Sequence, residues 1–137
     1  MKKWIWMLAF VCAGANAADW RVLGSSDTAE LSIDAASIKD QNGMRTAWSM
    51  WNFKEARANA GDKTFPSLKS YQDLHTYDCK NKTLKLTREI IFAGANGTGD
   101  KRDHSDALKN MQFAKPATGS IAESMLTEVC GAILTAE

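Results

Sequence analysis

The sequence predicts an α+β domain: a small antiparallel β-sheet of about five or six strands, with one C-terminal helix tied to it by a disulfide. Three observations carry this. Between residues 19 and 92, short runs of alternating apolar and polar residues recur between turn signals. From Ser120 onward the apolar spacing changes to that of a helix. Two cysteines, Cys79 and Cys130, remain once the front of the chain is read as an export signal.

The signal spans Met1 to Ala17. Lys2 and Lys3 form its basic start and Trp4 to Ala15 its apolar run. Ala15-Asn16-Ala17 puts small residues where a signal peptidase needs them, so cleavage falls between Ala17 and Ala18. Valine precedes Cys12 and the apolar run continues past it, so Cys12 reads as one more apolar residue of the signal rather than a lipidation site. The mature domain is then 18–137. In an oxidising compartment its two cysteines pair, closing a loop of about 50 residues worth roughly 4 kcal/mol of chain entropy.

The elements follow in order. Asp19 to Leu23 reads as a short strand, stopped by Gly24-Ser25-Ser26-Asp27. Leu31 to Asp34 is the second. Ala35 to Gly43 is polar and turn-rich, and Asn42-Gly43 is a strong hairpin signal. Met44 to Phe53, rich in tryptophan, is the third strand. Lys54 to Pro66 reads as a charged, alanine-containing connection with room for a helical turn, which Gly61-Asp62 and Pro66 stop from growing longer. Leu68 to Cys79 is the fourth strand, with Lys80-Asn81-Lys82 as its turn.

Thr83 to Phe92 is the fifth strand. Simple alternation puts Leu84, Leu86, Ile90 and Phe92 on one face and Lys85, Thr87 and Glu89 on the other. Arg88 breaks the apolar face and signals a strand end, a bulge or an exposed edge. Gly94 to His104 reads as a mobile surface loop, and Asp106 to Phe113 as a last short strand. Ser120-Ile121-Ala122-Glu123 has capping-box spacing. Ala122, Leu126, Val129, Cys130 and Ile133 then share a helix face, with Gly131 weakening the end.

Bulk is split between faces in the third and fourth strands. Met44, Trp48 and Met50 oppose Trp51 and Phe53; Leu68 and Leu74 oppose Tyr71, Tyr77 and Cys79. Either the strands contain bulges, or part of the second sheet face is covered by a loop or a partner.

Composition excludes several function classes. Removing the signal, with its two lysines and no acid, leaves a formal charge of about −1. That is too little positive charge for a nucleic-acid partner. No apolar run after residue 17 approaches a membrane span. No serine or cysteine nucleophile stands in a catalytic frame, and Gly94 to Gly99 lacks both the following helix and the Gly-Lys-Ser/Thr ending of a phosphate loop. No cofactor is implied.

The remaining candidates are few. His75 shares a strand face with Asp73 and Tyr77, as a base or ligand or as a half-buried strand histidine. His104 lies beside Asp103 and Asp106 in a charged loop, and spacing alone does not bring them round a metal. Lys80, Lys82, Lys85 and Arg88 concentrate positive charge on one hairpin. They read as a ligand-binding patch or as a charged face that discourages edge pairing. Trp20, Trp48 and Trp51 serve either as a stacking platform or as core.

Taken in order, Asp19-Trp20, Gly24-Ser25-Ser26, Ile33-Asp34-Ala35-Ala36-Ser37-Ile38, Tyr77-Asp78-Cys79, the Gly94 to Gly99 turn and Pro116 to Cys130 resemble the surface-adhesin protein E-like family. The resemblance covers about residues 19–130. It implies a disulfide-tied antiparallel sheet with a closing helix, and an envelope protein whose namesake adheres to host extracellular proteins. The function expected is a non-enzymatic exported binding module of the bacterial cell envelope, periplasmic first, cell-surface or secreted otherwise. Its partner would be a protein or a glycan. The alternative is a periplasmic carrier of a small apolar ligand.

Overall fold

A computed structural model describes residues 17–135. The export signal expected over residues 1–17 therefore lies outside the described residues, apart from Ala17. Among the described residues, seven strands form a single antiparallel sheet. They are β1 (Trp20–Ser25), β2 (Ala29–Asp34), β3 (Lys39–Gln41), β4 (Met44–Ala58), β5 (Ser67–Asp78), β6 (Thr83–Phe92) and β7 (Lys101–Asp103). Their order is β1-β2-β4-β5-β6-β7, and β3 pairs the start of β4. One helix, α1 (Ile121–Gly131), packs on one face.

The core sits between that face and the helix. Leu31, Ile33, Ala47, Tyr77 and Leu84 from the sheet meet Met125, Leu126 and Val129 from α1. Because side chains alternate along a strand, the register assigns every other residue of β4 and β5 to the opposite, helix-free face. Met44, Trp48 and Met50 therefore lie on the open face, while Trp51 and Phe53 lie on the helix side, which explains the split bulk of these strands.

Both ends of α1 are fastened by identifiable groups. The Ser120 hydroxyl accepts from the Glu123 N–H at 3.2 Å, and the Glu123 carboxylate accepts from the Gly119 N–H at 2.6 Å. The first bond satisfies an orphan donor of the first turn, and the second ties the residue ahead of the cap to the helix. At the other end Arg45 of β4 donates to the carbonyls of Val129 and Ala132, each at 2.8 Å, while its Nε donates to Asp40. The Cys79–Cys130 disulfide completes the clamp, with Cα atoms 5.6 Å apart. Arg45→Met should cost on the order of 2 kcal/mol, since two carbonyls lose a charged donor. Denaturant midpoints measure that cost, and amide exchange should quicken first in the last turn of α1.

Several local expectations change. Lys54 to Ala58 extend β4 instead of forming a connection, with the Lys54 N–H bonded to the Thr28 carbonyl. A register slip between Asn52 and Arg57 absorbs the extra residues. Ala35 to Gly43 holds a 3-10 turn (Ala35–Ser37) and β3 as well as its hairpin. The hairpin itself is as expected: Asn42 and Gly43 take φ of 56° and 83°.

Asp106 to Phe113 is not a strand. Ser105–Leu108 is a 3-10 turn, and only Ala114 bridges to Leu84 of β6. Ile133 leaves the helix face and is 96% exposed, because α1 ends at Gly131 and Arg45 holds the chain at Ala132.

Gly94 to His104 is a docked segment, not a free loop. It contains a 3-10 turn (Ala95–Gly97) and β7. Asn52 and Asn96 exchange two hydrogen bonds, of 2.9 and 2.6 Å, and the Ser70 hydroxyl donates to the Gly94 carbonyl and accepts from the Gly97 N–H. Gly97 has φ +68°, and a Cβ there would strike the Gln72 amide. The turn therefore closes down on one end of the open face, beside Phe92.

Candidate functional site

The site begins with a bulge. Leu74 of β5 pairs with Arg88 of β6, but the next residue, His75, pairs with Leu86, so Thr87 is extra. Its hydroxyl donates to the Leu74 carbonyl at 2.8 Å. One inserted residue flips the parity of everything after it. Leu84 and Leu86 face the helix, while Arg88, Ile90 and Phe92 turn to the open face. The expected common face of Leu84, Leu86, Ile90 and Phe92 is thus broken between Leu86 and Arg88, where the arginine signalled it.

The same flip unites two of the basic residues. Lys85 pairs with Thr76 and Arg88 with Leu74, so both stand on the open face in adjacent rows. Each lies over an aromatic ring. Lys85 Nζ is 4.8 Å from the Phe113 centroid, and the Arg88 guanidinium 5.4 Å from that of Trp48. Arg88 also meets Asp103 at 3.5 Å, with both side chains about half exposed, so water weakens that pair.

Lys80 and Lys82 sit apart from them in the β5–β6 turn, where both are exposed. Asp78 builds the turn. Its carboxylate accepts from the Asn81 N–H and side-chain amide, and these bonds hold its pKa below the ordinary range. Lys82 takes φ 55° and borders a hollow of about 230 Å³ beside the disulfide, shared with Lys115, Leu126 and Thr127. The hairpin charge is therefore divided between a turn and a sheet face.

The tryptophans are divided too. Trp48 is on the open face, as is Trp20 at the β1 edge, opposite Asp34. Trp51 is on the helix side, with its ring 6.2 Å from that of Tyr71. The three do not make one platform.

Asp73, His75 and Tyr77 share the helix-side face of β5, as their spacing predicts. Asp73 Oδ1, His75 Nδ1 and the Tyr77 hydroxyl have no protein hydrogen-bond partner among the described residues. Burial, then the Glu89 carboxylate, pushes Asp73 up to about 8. Glu89 is its cross-strand neighbour. Burial pushes His75 down to about 4 and raises Tyr77. The His75 and Tyr77 rings are 5.9 Å apart. A neutral imidazole and a protonated carboxyl at neutral pH are features of a buried polar row.

His104 does not converge with its neighbours. Its Nδ1 lies 3.7 Å from Glu89, while Asp103 bonds Ser105 and Asp106 pairs with Lys109 at 3.0 Å. Among the described residues, no group of three or more His, Cys, Asp or Glu side chains is placed to hold a metal ion.

Two contributors escape a first reading of the sequence. Lys39 lies on the open face because β3 pairs it with Thr46. The Asn42-Gly43 turn carries that information, since a two-residue loop fixes the register Gln41–Met44 and hence Lys39–Thr46. Arg45 has no sequence signature, because its helix carbonyls lie more than 80 residues away.

Comparison with known proteins accords with this architecture. The family described as surface-adhesin protein E matches residues 20–131. No curated protein matches the chain in sequence. Among solved structures, crystal form II of Haemophilus influenzae protein E superposes with a TM-score of 0.61 at 13% identity, covering 74% of this chain and 80% of that one. Protein E from non-typeable Haemophilus influenzae gives 0.60 at 13% identity, covering 80% and 75%. At such identities the likeness is one of fold: the antiparallel sheet with its helix. No helix among the described residues is long and apolar enough to cross a membrane. The family match spans most of the sequence, and the chain belongs to the surface-adhesin protein E family.

Proposed function

We propose that this protein is an exported, non-enzymatic binding module of the cell envelope, adhesin-like in action. Its partner is a protein or glycan bearing negative charge. The patch that engages it is carried by Lys80, Lys82, Lys85 and Arg88. The observation that supports this most is the Thr87 bulge, which sets Lys85 and Arg88 side by side on the face that the helix leaves open. Family membership supports a binding role over a catalytic one. The carrier reading finds no comparable support: Leu31, Tyr77 and Val129 fill the middle of the seam between sheet and helix, and the hollow of about 420 Å³ at its end, between Leu23, Ile33 and Ala132, is also lined by the charged Asp19, Arg21 and Glu128.

Lys80→Glu, Lys82→Glu and Lys85→Glu combined should strongly reduce attachment of the mature protein to immobilised extracellular matrix. Its melting curve should stay close to the parent's, because none of these lysines belongs to the core. Undiminished attachment by a normally folded triple variant would remove the hairpin from the binding surface.

A further inference from the structure

The open face contains a second, wider arrangement that the hairpin charges only border. Lys39, Thr46, Thr76 and Lys85 form one row across β3, β4, β5 and β6. Trp48, Leu74 and Arg88 form the next. Neighbouring strands stand about 4.8 Å apart, so the two lysine backbones are about 14 Å apart, and the rows are separated by about 7 Å. A hollow of about 290 Å³ opens between Lys39, Thr46, Trp48 and Leu74. The Trp48 and Leu74 side chains are half-buried; the Arg88 guanidinium lies over the indole, and the ring and methyl surface that borders the hollow is left for a ligand.

We propose that this strip binds an acidic glycan laid across the strands. The inference rests on the binding-module reading above and names its ligand class and its site. Each part of a charged sugar finds a match. The indole supplies an apolar face against which a pyranose ring stacks. Thr46 and Thr76 supply hydroxyls that donate and accept. Lys39, Lys85 and Arg88 supply cations for carboxylate or sulfate groups. Neither Lys39 nor Lys85 takes part in an ion pair among the described residues. Asp34 also lines the hollow, but it is 9% exposed and its Oδ1 accepts from the N–H groups of Asp19 and Ala36.

A glycan fits better than an acidic peptide strand. Extended peptides join sheets through unpaired backbone at an edge. Here the backbones of β4 and β5 are paired on both sides, so a ligand meets side chains alone.

The test is binding of the mature protein to immobilised heparin, with neutral dextran and poly-L-glutamate as the comparison surfaces. Heparin should retain the protein at low salt and release it as ionic strength rises, and dextran should retain none. Lys39→Gln should weaken retention about threefold and Trp48→Leu about tenfold, with each variant melting like the parent. Both changes leave Lys80 and Lys82 untouched. Retention lost on Lys80→Glu/Lys82→Glu but kept in Lys39→Gln and Trp48→Leu would overturn the strip while leaving the hairpin as a binding surface. Attachment to matrix protein with no retention on heparin would overturn the glycan assignment and leave the module standing. Tighter retention on poly-L-glutamate than on heparin would overturn it as well.

Discussion

The Cys79→Ser/Cys130→Ser variant should lose about 4 kcal/mol of stability, the entropy of the loop that the bond closes. The pair spans 51 residues and connects the end of β5 to the last turn of α1. A domain of this size commands roughly 5–15 kcal/mol in total, so the loss is a large share. The helix contributes Met125, Leu126 and Val129 to the core, all of them buried, so its release uncovers Tyr77 and Leu84. Urea unfolding of parent and variant measures this directly, and an unchanged midpoint would show that packing alone holds the helix. The parent protein, denatured without reductant, should show no free thiol in its mature form.

The second large effect is a stability that depends on pH from both sides. Asp73 has its pKa raised from 3.8 to about 8, chiefly by burial. Its favourable contribution is complete below pH 4 and is lost as pH rises towards 8, because the folded protein must keep or take up a proton that the unfolded chain has released. The total loss is on the order of 6 kcal/mol for a rise from 3.8 to about 8. His75 behaves in the opposite sense. Its pKa falls from 6.5 to about 4 through burial, so stability is complete above 6.5 and is lost as pH falls through 4.

Asp73→Asn should therefore stabilise the domain by about 2 kcal/mol or more at pH 8, with little change near pH 4. It should also flatten the alkaline limb of a plot of melting temperature against pH. His75→Phe should flatten the acid limb. A variant profile that runs parallel to the parent's would show that Asp73 is already ionised in the folded state.

Which features were legible in the sequence follows from how local their causes are. Asn42-Gly43 announces its hairpin because only a few residue types accept positive φ, and both positions adopt it. Ser120 and Glu123 announce the helix start because the cap is closed within one turn. The disulfide was legible because two cysteines in an exported chain leave one pairing.

Features with distant or quantised causes were not legible. The Thr87 bulge shifts parity by one, and the sequence registers it only as an arginine where an apolar residue belongs. Lys54 to Ala58 look like a loop by composition, yet Arg57 and Ala58 pair with Leu68 and Ser67 of β5 and hold them as strand; Arg57 also lies 3.9 Å over the Phe53 ring. The glycine-bearing turn looks free until Asn52, more than 40 residues away, engages Asn96. The candidate site is of this second kind. Its residues come from β3, β4, β5 and β6, and each strand supplies only one or two of them, so no stretch of sequence displays the site.

The adhesin-like reading requires this open face to meet partners outside the cell. Protease accessibility of the protein on intact cells, beside a lysed control, tests that requirement most directly. Digestion on intact cells is the result that the adhesin-like reading predicts, in place of the periplasmic location that the sequence alone puts first. Protection until lysis would contradict an adhesive role and confine the module to partners within the envelope.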